Sequence, residues 1–89
     1  MIELKQETEK WLGRIKERIR HVDGERKFME NIRAYISDSE YFMSTSDFIR
    51  AFECVIWAWA WLEIGLEIGM LYEAGPAHGG GQIADKEDR

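Results

Sequence analysis

The sequence predicts an all-α protein, an antiparallel up-down-up three-helix bundle in a single small domain. Three observations carry that expectation. Apolar residues recur at spacings of three and four over two long stretches, the signature of amphipathic helices. Short turn or polar segments, at Asp23-Gly24 and at Ser44-Thr45-Ser46-Asp47, interrupt the pattern. The third stretch, residues 47–72, places Trp57, Trp59 and Trp61 at alternate positions between helical start and stop signals. At about 100° per residue, a helix sets Trp57 and Trp61 close together and swings Trp59 far round. One helix with large aromatics on two sides needs more than one neighbour, so the third helix is predicted to be the central element.

The first helix is expected over residues 3–22. Leu4, Trp11, Leu12, Ile15, Ile19 and Val22 form its apolar stripe. Gly13 weakens it by up to ~1 kcal/mol, and Asp23-Gly24 closes it. The second helix is expected over residues 25–43. Phe28, Ile32, Tyr35, Ser39 and Phe42 follow a four-three rhythm, widened by Met29, Ile36 and Met43. The polar link that follows supplies acceptors for free helix N–H groups, and Asp47 suits the positive end of the third helix. Links this short join antiparallel neighbours, and the pair resembles one unit of a tetratricopeptide-like array. Gly75-Pro76 is read as the terminator of the third helix. No strand pattern is evident. Residues 1–76 are therefore taken as the bundle and residues 77–89, with Gly79-Gly80-Gly81 and Asp85-Lys86-Glu87-Asp88, as a flexible tail.

In helical projection the third helix shows an unusual apolar width. Arg50, Glu53, Ala60, Glu63 and Glu67 collect in an arc of roughly 140°. Phe48, Ala51, Phe52, Val55, Trp59, Leu62, Leu66 and Gly69 form the expected core face. A second face carries Trp57, Trp61, Ile64, Ile68 and Leu71. A three-helix bundle needs an apolar stripe only somewhat wider than ~100°, and this one is about twice that. Trp57, Trp61, Ile64 and Ile68 are therefore the candidate binding residues, covered by the chain itself, by a second copy or by another partner. Gly65 and Gly69 lie on one side, where their lack of bulk would let another helix approach.

Composition bounds the rest. Eighty-nine residues suffice for one domain, and 45% hydrophobic with 33% charged residues describe a globular chain rather than a disordered one. A core this small is marginal, and each buried tryptophan hides ~150–250 Å². Cys54 has no partner for an internal disulfide, and its mid-helix setting among apolar residues reads as an inert buried thiol. Residues 1–10 are polar, so no signal peptide is read there and cytoplasmic residence is the default expectation. Residues 54–72 superficially resemble a membrane span, but they contain Glu63 and Glu67, and Asp at such depth costs ~2.5–3.5 kcal/mol. Membrane residence is not expected.

The net charge of −5 is unevenly spread. Residues 1–27 carry eight basic and six acidic side chains, whereas residues 28–89 carry four and eleven. Arg14, Lys16, Arg18 and Arg20 crowd together, but a pI near 5.0 is far from the basic footprint of nucleic-acid binders, so nucleic acid is not expected as a partner. His21 and His78 stand apart, and no cysteine or histidine cluster has zinc spacing. Glu53, Glu63 and Glu67 share a helix face, but the Glu-x-x-His pairs of carboxylate bundle sites are missing. No nucleophile–base grouping or phosphate loop is present. No cofactor, no metal and no catalytic residue is predicted.

Three segments carry a family resemblance. Tyr41-Phe42, residues 46–51 (Ser-Asp-Phe-Ile-Arg-Ala) and residues 57–65 (Trp-Ala-Trp-Ala-Trp-Leu-Glu-Ile-Gly), with Gly69 beyond, resemble the archaeal family catalogued as domain of unknown function number 357. The match covers about residues 33–71. Ser46 stands where that family often has glycine, Trp59 where it often has histidine, and Glu63 where it often has aspartate. If a His/Asp pair has a polar role in the family, Trp59 removes half of it here. The resemblance implies a compact three-helix bundle and no established activity.

The leading expectation is accordingly a non-catalytic interaction or scaffold module that associates with itself as a homo-oligomer. The alternative is a small-molecule or peptide binder with an aromatic pocket around Trp57 and Trp61. A weaker one is a nucleic-acid accessory protein using residues 14–20.

Overall fold

The computed structural model describes residues 3–75. Three helices, α1 (Leu4–Ile19), α2 (Arg26–Ser44) and α3 (Phe48–Glu67), make up the body, with two short strands, β1 (Val22–Gly24) and β2 (Leu71–Glu73). The residues read as a tail, 77–89, lie outside the described residues.

Two of the three helix starts have a side-chain cap. The Glu25 carboxylate accepts from the Phe28 N–H at 3.0 Å and caps α2, and Asp47 accepts from the Arg50 N–H to cap α3. The end of α2 is a Schellman motif. The Asp47 N–H donates to the Phe42 carbonyl (2.8 Å) and the Ser46 N–H to that of Met43 (3.1 Å). The motif needs a left-handed residue, and Ser46 supplies it at φ 62°. Glycine would adopt that conformation without the steric cost a Cβ carries.

Alternating contacts show α2 and α3 to be antiparallel. Phe28 meets Trp61, Tyr35 meets Trp57, and the buried Ser39 hydroxyl donates to the Ala51 carbonyl at 2.7 Å. As the number rises on one helix it falls on the other. The expected apolar stripes of α1 and α2 are the ones that pack inward, with Leu12, Ile15, Met29, Ile32 and Ile36 in the core. Thr8 joins them fully buried, its hydroxyl satisfied by the Leu4 carbonyl one turn back.

The core seam of α3 differs from the expected one. Its buried residues are Ala51, Val55, Ala58, Leu62 and Gly65. Small residues recur every seventh position, with one large aliphatic between each pair. Large aromatics flank this seam instead of filling it: Trp57 and Trp61 lean toward α2, and Trp59 toward α1. The alternation of tryptophan and alanine thus lets two neighbours approach a narrow ridge. The central position expected for α3 holds.

The end of the third helix requires a correction. It stops at Glu67 rather than near Gly75, with Ile68 as C-cap and Gly69 in the left-handed conformation at φ 81°. The chain then forms β2, which pairs antiparallel with β1 in the register Val22↔Glu73, Asp23↔Tyr72, Gly24↔Leu71. The expectation of no strands is therefore wrong at two three-residue segments, too short to show alternation. Leu71, assigned to an outer helix face, is instead 2% exposed under the sheet. It fills the space left by Gly65, where a Cβ would lie 2.5 Å from Leu71 Cδ1 and 3.0 Å from Phe28 Cδ2. Gly65 admits this returning strand and α2, not a further helix. Gly69 has nothing within 4 Å of its Cβ position and serves only the turn.

Candidate functional site

The four candidate residues separate into two groups. Trp61 is half-buried, its ring edge-on to Phe28 with centroids 5.0 Å apart. It belongs to the α2–α3 contact. Trp57, Ile64 and Ile68 face outward and remain 56%, 53% and 58% exposed. Trp57 lies over Tyr35, nearly parallel to it at 18° and 6.1 Å, so one face of the indole is covered and the other open. Ile49, Ile56, Met70 and Tyr72 are also exposed. Periodicity indicated the stripe of Trp57, Ile64 and Ile68, but it missed Ile49 and Ile56. Those two share their side of α3 with Glu63 and Glu67, so a charge-based arc concealed them.

Trp59 sits on the opposite flank. Its indole is edge-on to Trp11 at 5.9 Å, and its Nε1–H donates to the Trp11 carbonyl at 3.2 Å. It is half-buried at the α1–α3 contact, one step out from the seam to which it was assigned. Trp11 donates in turn to Glu7 at 2.9 Å, which, with Lys10, holds that carboxyl below its usual range. The Arg14 guanidinium lies 4.9 Å from the centre of the Trp11 ring. Gly13, Arg14, Arg18, His21 and Trp59 line a groove of ≈ 670 Å³ along the outer surface of α1.

Ion pairs occupy most of the basic cluster. Arg18 grips Glu73 with two hydrogen bonds of 2.8 and 2.6 Å, tying α1 to β2, and Lys16 pairs with Glu40 of α2. The Glu17 carboxylate takes His21 and Arg20, whose hydrogen bonds lower its pKa. The pairing lowers the Glu73 pKa and raises that of Arg18. A cluster neutralised in this way presents little uncompensated positive field.

Cys54 is half-buried rather than fully enclosed, and burial, then the carboxylates of Asp38 and Glu53, push its thiol above 9.0. That setting disfavours a nucleophile. Among the described residues, no three His, Cys, Asp or Glu side chains are grouped to hold a metal ion, and no helix is long and apolar enough to cross a membrane.

Comparison with known proteins agrees with the segments noted in the sequence. The family model described as "Protein of unknown function (DUF357)" matches residues 5–71. The chain belongs to the DUF357 family. The crystal structure of a DUF357 protein from Archaeoglobus fulgidus is similar, at 62% sequence identity and a TM-score of 0.79. The match covers 80% of this chain and 93% of that one. No curated protein matches the chain. The DUF357 match extends from α1 to the first residue of β2, so the family segment takes in all three helices.

Proposed function

We propose that this DUF357 protein is a non-catalytic interaction module that self-associates through the outward face of α3. The observation that carries the reading is the open stripe of Trp57, Ile64 and Ile68. All three side chains are more than half exposed, and a large apolar patch left open on a monomer usually marks an interaction site. A second copy is the occupant because a two-fold axis doubles the apolar area covered without requiring any new surface. Glu63 and Glu67 lie roughly 80–120° round the helix from Trp57, so antiparallel stripes meet while these acids stay in water. The small-molecule alternative is less well supported. Trp57 and Trp61 are engaged with Tyr35 and Phe28 instead of framing an enclosed pocket, as a small-molecule site would require.

Analytical ultracentrifugation at tens of micromolar tests the reading. The wild type is expected to sediment above the 10.5 kDa monomer. Trp57→Lys with Ile64→Lys is expected to give a folded monomer, because both side chains already face outward. A wild type that remains monomeric overturns self-association.

A further inference from the structure

The outward face of α3 carries more order than an apolar stripe. Two helices that wrap about one another meet along a repeat of 3.5 residues. On that repeat Arg50, Trp57 and Ile64 stand seven apart, and Glu53, Ala60 and Glu67 follow each of them by three. The two sets alternate along one outward seam, about 26 Å from Arg50 to Glu67. Arg50, Glu53, Trp57, Ile64 and Glu67 are exposed and Ala60 is half-buried, so none of the described elements covers the seam. Its middle is apolar, and its outermost positions carry opposite charges, Arg50 at one end and Glu67 at the other. Among the described residues Arg50 pairs only with Asp47, at 3.2 Å, and Glu67 has no cation at ion-pair distance.

We infer that this seam meets the same seam of a second copy, antiparallel, in the one register that sets Trp57 on the partner's Ala60 and Arg50 beside the partner's Glu67. The inference rests on the self-association proposed above and adds the residues that fix its direction and register. Antiparallel alignment places each member of one set opposite a member of the other. With Trp57 opposite the partner's Ala60, Arg50 falls opposite the partner's Glu67, and the two-fold axis repeats both contacts. The indole already lies on Tyr35 with its inner face, and its outer face would cover the small Ala60. Glu53 falls opposite the partner's Ile64 toward the open end of the seam, with its carboxylate turned to water. A shift of seven residues either way puts the indole on the partner's Glu53 or the partner's Glu67, which desolvates a carboxylate without a partner. Parallel alignment sets Arg50, Glu53 and Glu67 each against its own copy, so like charges meet at three levels. Only the inferred register joins the apolar middles and pairs the opposite charges at both rims.

Charge reversal read by sedimentation equilibrium tests this register. Neither substitution opposes the fold. Arg50→Glu puts a glutamate three residues after the Asp47 cap, at the positive end of α3, and Glu67→Arg puts a cation in its last turn. Circular dichroism should show both variants folded. Each single reversal is expected to raise the dimer Kd roughly tenfold, because the two-fold makes both rims repulsive at once. The double variant Arg50→Glu with Glu67→Arg restores the pairing and should return to within about threefold of the wild type. A dimeric wild type whose Kd neither single reversal moves, or whose loss the double variant does not recover, overturns the register while self-association stands. A monomeric wild type overturns both.

Discussion

At the residue scale, two backbone positions show how local geometry selects side-chain size. Ser46 sits at φ 62°, where a Cβ costs roughly 1–2 kcal/mol. Glycine relieves that cost but loses more conformational entropy on folding. Ser46→Gly is therefore expected to stabilise the protein by about 0.5–1 kcal/mol, seen as a rise in Tm. An unchanged or lower Tm would mean that the Schellman turn carries no strain. Gly65 is the opposite case. Its Cβ would meet buried Leu71 Cδ1 at 2.5 Å and Cγ at 2.7 Å, and overpacking of this kind typically costs ~1–3 kcal/mol. The better helix propensity of alanine returns up to ~1 kcal/mol. Gly65→Ala should still lower the denaturation midpoint, and a higher one would refute the packing of β2 on α3.

At the element scale, α3 is a narrow seam between two aromatic flanks. Trp59 bridges to α1 by an edge-on ring contact and a hydrogen bond, whereas Trp57 lies on Tyr35 with its outer face open. Truncating Trp59 should cost about 2–4 kcal/mol, below the ~3–5 of a fully enclosed tryptophan because the ring is half-buried. Trp57→Ala should cost less than about 1 kcal/mol in the monomer. Chemical denaturation of the two variants at low protein concentration checks the order, and equal losses would undo the assignment of flanks. Ser39 makes a related contribution. It presents little bulk at the α2–α3 crossing and gives its hydroxyl proton to Ala51, so Ser39→Ala should cost ~1 kcal/mol, measurable in the same experiment.

At the scale of the whole molecule, the Arg18–Glu73 pair ties α1 to β2 across 55 residues of chain. The pKa values of Glu7, Glu17 and Glu73 all lie below the ordinary 4.5 through hydrogen bonds to Trp11, His21 and Arg18 respectively, with Lys10 and Arg20 adding to the first two. A carboxylate whose folded pKa is depressed contributes stability above its unfolded pKa and loses it as pH falls through the folded value. The wild type should therefore lose stability progressively below about pH 4.5. Glu73→Gln should lose less over that range, because the Arg18 pair is already gone. Identical pH profiles for the two proteins would show that the pair is inert. Because most of the basic side chains on α1 are matched, salt-dependent micromolar binding to mixed DNA or RNA at ~0.15 M salt is not expected; observing it would contradict the matched-charge reading.

The sequence alone was enough for the number of helices, the apolar stripes of α1 and α2, the cap at Asp47, the family and the central place of α3. These depend on short-range periodicity and on side chains that act on their own backbone neighbours. It also contained the stripe of Trp57, Ile64 and Ile68, because spacing along a helix places residues on a face. Only the tertiary structure decided which apolar residues lie innermost. Ala58 and Gly65 occupy the seam and the tryptophans do not, since close approach of helices rewards small size at the contact, a property that hydrophobicity does not encode. Tertiary structure also decided that the chain turns at Gly69 and returns as β2. Leu71 fills the gap above Gly65, and β1, the strand that pairs with β2, lies about fifty residues earlier in the chain. A three-residue strand has no periodicity of its own, so its partner, not its sequence, makes it a strand.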